Sequence, residues 1–515
     1  MGRKLLDGQR VYDEDDRIKS KDDQDVCQDL GESKKEKVVK EEINKGINSS
    51  NLVEVLSRTV DQYFPNLNQW FKDLTDIRDQ ESIDYNRETL MWTMLLTLIT
   101  KQGARRQITE KMRPEENFFL NLKELCGQED LEQVPHGDTV EYLSMRMEPE
   151  EMEELVVKII KLLLRGRVLE RFRLQGIYYK IAIDGVHMYS FDYPHCDKCT
   201  KKTSEKTGKT TWFHYKLQAS LVTSSGMCLP VLSEWIENEE SYDKQDCETK
   251  AFHRLIGKLR KYFPQLPMCI LLDSLYANEP VFKAMDNADM QWIVVFKEGS
   301  MSEVYKYIMT NKEKFSKNKL VRRQEKEIPV RKKRTHQERL ERTKPVRQTR
   351  VLKKEATYTW SSEKHWNNER TYNVITCTEV EDEVTNCDYV WLVSNGLNLD
   401  KSNVVEFAIT GRGRWIIENQ GFNMQKNGGY NLEHCYSEDE VSMKIWNFML
   451  DIAHIVNQLI EQGSLIQKEV YGSIKNIAVK MFEHFCYYLF TKPPRHPRIQ
   501  IRLRQPLRQI WWDSS

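Results

Sequence analysis

The chain lacks net charge: 78 Lys+Arg balance 78 Asp+Glu over 515 residues. That balance argues against a simple polycation that holds DNA by bulk attraction. It also lacks any apolar run approaching the roughly 18 residues of a membrane span. The longest candidate, LMWTMLLTLIT (90–100), is too short. The opening stretch MGRKLLDGQRVYDEDD has no apolar centre, so no secretory leader is expected. The eleven cysteines are odd in number and scattered, which reads as reduced thiols in a cytoplasmic setting. No internal repeat is visible. What is present is a polar chain, 39% hydrophobic and 30% charged, long enough for about three domains or two large ones.

Residues 1–50 hold 11 Lys+Arg and 13 Asp+Glu with few large apolar side chains. Such a segment cannot bury enough surface to offset chain entropy and is expected to be mostly disordered. Between 51 and 172 the apolar residues fall at three-to-four spacing, which predicts an all-α N-terminal domain. Its second helical pair opens at Asp138-Thr139 as a cap. The segment GARRQ (103–107) places Arg105 and Arg106 beside a turn. They would contact phosphate, or else be the cations of a helix C-terminus.

At 177 the period changes. YYKIAIDGVHMYSF, WFHYKLQASLVTS and CLPVLSEWIEN read as three strands in a meander. A helix at about 246–263, the strand MCILLD, a helix from Pro280, the strand QWIVVF and a helix from about 301 follow. This order predicts a mixed sheet with flanking helices over 173–304. A basic, β-rich segment is expected at 305–402. Within it, 321–354 carries 14 Lys+Arg against 4 Glu, including Arg331, Lys332, Lys333 and Arg334. Such a run is either a solvated loop or a DNA-backbone contact surface. Trp360 and Trp366 in the same segment either pack across strands or stack on an unpaired base. Helical periodicity returns at 403–420 and again at 438–462, within a segment expected at 403–465. The remainder, 466–515, ends in a basic tail, where 491–509 has six Lys+Arg and no acid.

Two apolar runs end in an aspartate: Ile181-Ala182-Ile183 before Asp184, and Ile270-Leu271-Leu272 before Asp273. A carboxylate at the end of a buried strand is costly unless a cation or donors meet it. If the strands are neighbours, the two acids converge into a hard-oxygen site for Mg²⁺ or Mn²⁺. Each alone would be an ordinary turn residue. A third acid, Glu418, lies four residues after Arg414 and shares its helix face. Trp415, Ile416 and Ile417 make that helix partly buried. The Asn/Gly/Lys-rich stretch after it, with Asn423 and Lys426, has the composition of a binding loop.

The order Asp184, Asp273, Glu418 on a βββαβαβα frame resembles the DDE transposases of bacterial insertion sequences. The likeness is closest to the group with a Tyr-Arg-Glu-Lys signature and a β-rich insertion in its core. YKIAIDGVH, EWIENE, LPMCILLDSLYAN, VVFKEG and RGRWIIENQGFNMQKNGGYNLEHCYS carry it, over about residues 60–465. The resemblance implies a ribonuclease-H-like catalytic core holding two Mg²⁺ or Mn²⁺ ions on Asp184, Asp273 and Glu418. It implies Arg414 and Lys426 on phosphates, double-stranded DNA partners (element ends and target), and a homodimer in the synaptic complex. Two positions depart from the signature. The Tyr position is Gly411, and the Lys position is Gln425, with Lys426 one residue later. An end of the helix at Gly421 would free Lys426 to turn back. The 145-residue gap from Asp273 to Glu418, against 89 from Asp184 to Asp273, is filled by the insertion. The contrasting readings are a transposase-derived DNA-binding protein without catalysis, and a metal-dependent nuclease of the same fold.

One further motif stands outside this scheme. His195-Cys196-x₂-Cys199 is the first half of a structural zinc site, with His214 downstream and His187 upstream. The second cysteine pair is missing. The alternatives are a zinc site completed by His214 with His195 or His187 across the hairpin, and free thiols at a loop tip.

Overall fold

The structure is a computed structural model, and it describes residues 9–12, 51–238, 246–311, 318–329, 349–364, 371–382, 384–466, 474–492 and 501–503. The protein is mixed α/β, with parallel and antiparallel strand pairing and flanking helices. In chain order, β1 (Gln9–Tyr12) precedes helices α1 (Leu52–Tyr63), α2 (Leu67–Asp73), α3 (Arg87–Ile99), α4 (Glu116–Cys126), α5 (Gly137–Ser144) and α6 (Pro149–Arg165). Then come β2 (Tyr179–Phe191), β3 (Thr200–Thr203), β4 (Thr210–Val222), β5 (Cys228–Ile236), α7 (Glu248–Tyr262), β6 (Met268–Leu272), α8 (Glu279–Asn287) and β7 (Gln291–Val295). After α9 (Ser302–Thr310) follow β8 (Lys319–Pro329), β9 (Thr349–Lys364), β10 (Thr371–Glu381) and β11 (Val384–Val393). The last elements are α10 (Val404–Arg412), α11 (Asn423–Asn427), α12 (Glu440–Gln462) and α13 (Ile474–Tyr487).

The chain forms two compact units. The larger takes its described residues from Ser33–Leu272, Glu279–Met290 and Arg412–Ser515. The expected meander is present, with β2 antiparallel to β4 and β4 antiparallel to β5, while β6 joins β2 in parallel. β3 adds a short hairpin ladder on β4 that the sequence pattern did not reveal. Helix α7 lies on β4 and β5, and α12 packs on β5 and on α1, α3, α5 and α6. The buried residues of α12 lie on all its faces, which makes it the central helix of this unit. The longest apolar run of the sequence becomes α3. Its buried threonine hydroxyls all find acceptors: Thr93 returns to Thr89 O and Thr97 to Thr93 O, and Thr89 donates to Gln128 Oε1, at 2.7 Å each.

Three details differ from the sequence reading. Helix α5 begins one residue before Asp138, with His136 as its cap accepting from Asp138 N at 3.2 Å. Asp138 instead sits in the first turn, where its charge suits the helix dipole. Helices α4 and α13 were not anticipated. They pack together, and Asn121 donates to Phe485 O and Tyr488 O at 3.0 and 2.7 Å.

The smaller unit contains β1, Asp273–Asn278 and Gln291–Gly411. Its strands β8–β9–β10–β11–β7 form a continuous antiparallel ladder, and β1 pairs with β8. Of the first 50 residues only Gln9–Tyr12 are described, as a short strand. The rest of that expectation lies outside the described residues. Trp360 is buried in β9 and therefore packs, whereas Trp366 lies outside the described residues. The basic run enters β8 and β9, where Arg323 pairs with Glu355 at 2.8 Å and Lys354 with Glu381 at 3.0 Å. Arg331, Lys332, Lys333 and Arg334, and most of the basic tail, lie outside the described residues. No helix among the described residues is long and apolar enough to cross a membrane.

Candidate active site and candidate metal centre

Asp184 lies within β2, just past the part paired with β6. Its Oδ1 accepts from the amide of Gly185 at 2.9 Å. A side chain at 185 is not possible in this packing, since a Cβ there would sit 1.9 Å from the Tyr215 hydroxyl. That hydroxyl donates to Glu248 at the start of α7, 2.6 Å away. The Asp-Gly pair thus lets β2 pass tightly over Tyr215 while presenting a carboxylate.

Arg414 and Glu418 follow α10. Glu418 lies in a π-helical turn, Ile417–Phe422, that leads directly into α11. Arg414 is buried and donates from one nitrogen, Nη1, to both acids, 2.6 Å to Glu418 Oε1 and 3.2 Å to Asp184 Oδ2. One cationic atom serves two carboxylates, so Asp184 and Glu418 converge on a point that holds positive charge. The expected i, i+4 pairing is present. Of the apolar trio, Ile417 is buried, but Trp415 is half exposed. Its place in an apolar trio predicts a packed side chain, which the structure does not show.

The expected helix end at Gly421 is not found. Gly421 lies against β5, where a Cβ would meet Cys228 Sγ at 3.0 Å, and the helix continues as α11. A π-turn absorbs one additional residue. At about 100° per residue, Lys426 eight places after Glu418 thereby regains the direction that the seventh place has in an unbroken α-helix. Gln425, at the expected Lys position, is buried with its Nε2 3.4 Å from Asp451 Oδ1. Lys426 pairs with Glu433 at 2.8 Å, and its charge helps burial lower the His187 pKa. Asn423 is exposed and accepts from Asn427 at 2.7 Å. At Gly411 a Cβ would lie 2.6 Å from Trp391 Nε1, so this packing leaves no room for a larger residue there.

Beneath this helix, Lys216 of β4 is buried, 2.6 Å from Asn447 Oδ1 and 3.4 Å from Asp451 Oδ2. Gln218 also donates to Asp451, at 3.2 Å. Burial pushes the Lys216 pKa down and the Asp451 pKa up, each opposed by the partner's charge.

Asp273 belongs to the smaller unit, directly after β6, and caps a short turn by accepting from Leu275 N at 2.9 Å. Arg105 is committed within the larger unit. It donates to Asp138 and Glu141 at 2.6 and 2.8 Å and to Tyr436 O at 3.1 Å, tying α5 to the segment after α11. Arg106 beside it is exposed.

The second constellation closes in space. Ligand atoms of His195, Cys196, Cys199 and His214 all lie within 4.8 Å of one another. Burial lowers the His214 pKa to about 4, with His195 adding to the effect, which keeps that imidazole neutral. His187 is not part of this group. It rings with Phe213 and Tyr215, centroids 4.5 and 4.4 Å away. No protein-family model matches the chain, and no curated protein matches it.

Proposed function

We propose that the chain is a DDE transposase with a ribonuclease-H-like core. It would cut DNA at the ends of an insertion element and join them to target DNA by two-metal phosphoryl transfer. The observation that carries this reading is the single Arg414 nitrogen shared by Asp184 and Glu418. Two carboxylates close enough to share a cation, with hard oxygen donors, fit a divalent metal site. Asp273 would be the third ligand.

Bound Mg²⁺ or Mn²⁺ would polarise the scissile phosphate and lower the pKa of the attacking water. The chain's own residues would do the rest. Asp184, Asp273 and Glu418 hold the ions. Arg414 exchanges its carboxylate contacts for a phosphate oxygen as DNA arrives, its planar fork matching that geometry. Lys426 and Arg106 hold backbone phosphates, and the Trp415 ring offers a stacking face to an unpaired base. Joining two element ends needs at least two protomers, hence a homodimer on DNA.

The test is Mg²⁺-dependent cleavage of a duplex carrying the element's terminal inverted repeat. End-specific nicking by the native chain, lost in Asp184→Ala, Asp273→Ala and Glu418→Ala, is the expected result. Equal cleavage of arbitrary DNA would indicate a nuclease, and binding without cleavage would indicate a DNA-binding protein alone.

A further inference from the structure

Among the described residues, one group of three or more His, Cys, Asp or Glu side chains has the spacing of a metal centre, and it is built from histidine and cysteine. Cys196 and Cys199 lie on the loop between β2 and β3, and His214 reaches them from β4. The Sγ atoms are 3.4 Å apart, and His214 Nε2 is 3.5 Å from Cys196 Sγ and 3.4 Å from Cys199 Sγ. With Zn–S near 2.3 Å and Zn–N near 2.0 Å, the edges of a tetrahedral site run about 3.3–3.8 Å. The three observed separations match the face of such a tetrahedron. His195 supplies the fourth corner. Its ring stacks on Phe191 at 4.1 Å and 14°, which fixes its plane, and its Nδ1 is buried without a hydrogen-bond partner. An unpaired buried nitrogen is costly unless something meets it.

We infer that His195, Cys196, Cys199 and His214 bind one structural zinc ion. This inference does not rest on the transposase reading. Four protein ligands leave no open position, which marks the site as structural. The surroundings show what the ion would hold. Asn238, just beyond β5, donates to Cys199 O at 2.7 Å, and Lys198 pairs with Glu440 at the start of α12 at 3.0 Å. Farther along the same two elements, Lys216 of β4 meets Asn447 and Asp451 of α12. The zinc would therefore fasten the outer end of the hairpin to the strand and helix that support Glu418. The hairpin tip beyond it, residues 201–209, is exposed and carries Lys201, Lys202, Lys206 and Lys209.

The experiment is metal analysis of the purified full chain by mass spectrometry, with thiol state measured on the same sample. The expected result is one zinc per chain with both thiols reduced. The zinc is lost in Cys199→Ser and His214→Ala and retained in Asp184→Ala. Replacement by Co²⁺ should give the visible bands of a tetrahedral two-thiolate site in the native chain, a readout that does not depend on variants folding. Removing the metal with a chelator should speed tryptic cutting within 201–209. Native protein without zinc and without cobalt bands, a Cys196–Cys199 disulfide in place of the metal, or zinc retained in Cys199→Ser would each overturn the inference. Because Asp184→Ala keeps the zinc, failure of this site and failure of the catalytic reading are separable.

Discussion

Arg414 Nη1 lies 3.2 Å from Asp184 Oδ2, joining residues 230 positions apart in the chain. The same atom holds Glu418, so the guanidinium occupies the place of positive charge between two acids. Arg414→Gln removes a competitor for a metal ion and, on the proposed reading, a phosphate ligand. Mn²⁺ binding, followed by electron paramagnetic resonance, should persist or tighten. Cleavage of element-end DNA should fall by about tenfold or more, the loss of one charge-assisted contact. Loss of Mn²⁺ binding in this variant would mean that Arg414 builds the site rather than guards it.

Lys216 and Asp451 form a buried pair whose partners differ in origin, one on β4 and one on α12. Removing one charge leaves the other unpaired in a dry interior, at a cost of about 3–5 kcal/mol. Lys216→Met should lose that much in guanidinium denaturation. Lys216→Met combined with Asp451→Asn should recover at least half. Simple additivity of the two losses would show that the pair is not coupled.

His454 on α12 is fully buried, and its Nε2 is 2.9 Å from Gln458 Nε2. Burial, reinforced by the charge of Lys101, lowers its pKa from 6.5 to about 3. The folded pKa is depressed, so the unfolded state binds the proton first. The neutral form's stability is full above about 6.5 and is lost as pH falls toward about 3. Between those limits the group should cost about 1.4 kcal/mol per pH unit. Urea denaturation of the native chain and His454→Gln at pH 7.5 and 5.5 tests this: the variant should show the shallower pH slope.

The adjacent arginines 105 and 106 should separate. Arg105→Gln breaks ion pairs to Asp138 and Glu141 and should lower stability by about 1–3 kcal/mol, with some of the carboxylate charge left facing a partly buried site. Arg106→Gln, exposed, should leave the melting temperature unchanged. It should weaken DNA binding and reduce the salt slope by about one ion. A change in DNA affinity confined to Arg105→Gln would reverse the assignment.

Much of the secondary structure was legible because burial imposes periodicity. Apolar alternation placed β2, β4 and β5, and three-to-four spacing placed α1, α3, α6 and α12. Helix α4 was missed because Glu116–Cys126 mixes polar and apolar positions, and its burial is supplied partly by α13, far away in the chain. The short β3 carries no apolar signal at all, since Thr200–Thr203 is held by pairing to β4 rather than by packing.

The residue types and local spacings determined the candidates: an acid at the end of each of two apolar runs, Arg414 four residues before Glu418, and Cys-x₂-Cys beside a histidine. Local geometry follows from covalent connectivity, so such spacings survive into the fold. Tertiary structure alone decided which candidates meet. It set Arg414 on Asp184 and chose His195 over His187 beside the thiols. It gave Arg105 to an internal ion pair and left Trp415 in the open. It also excluded a side chain at 411, because the obstacle is the indole of Trp391, and it realigned Lys426 through a π-turn. Each of these outcomes depends on an atom supplied by a distant segment or on a local departure from regular helix. Periodicity records which side of an element is buried, but it does not record what lies opposite.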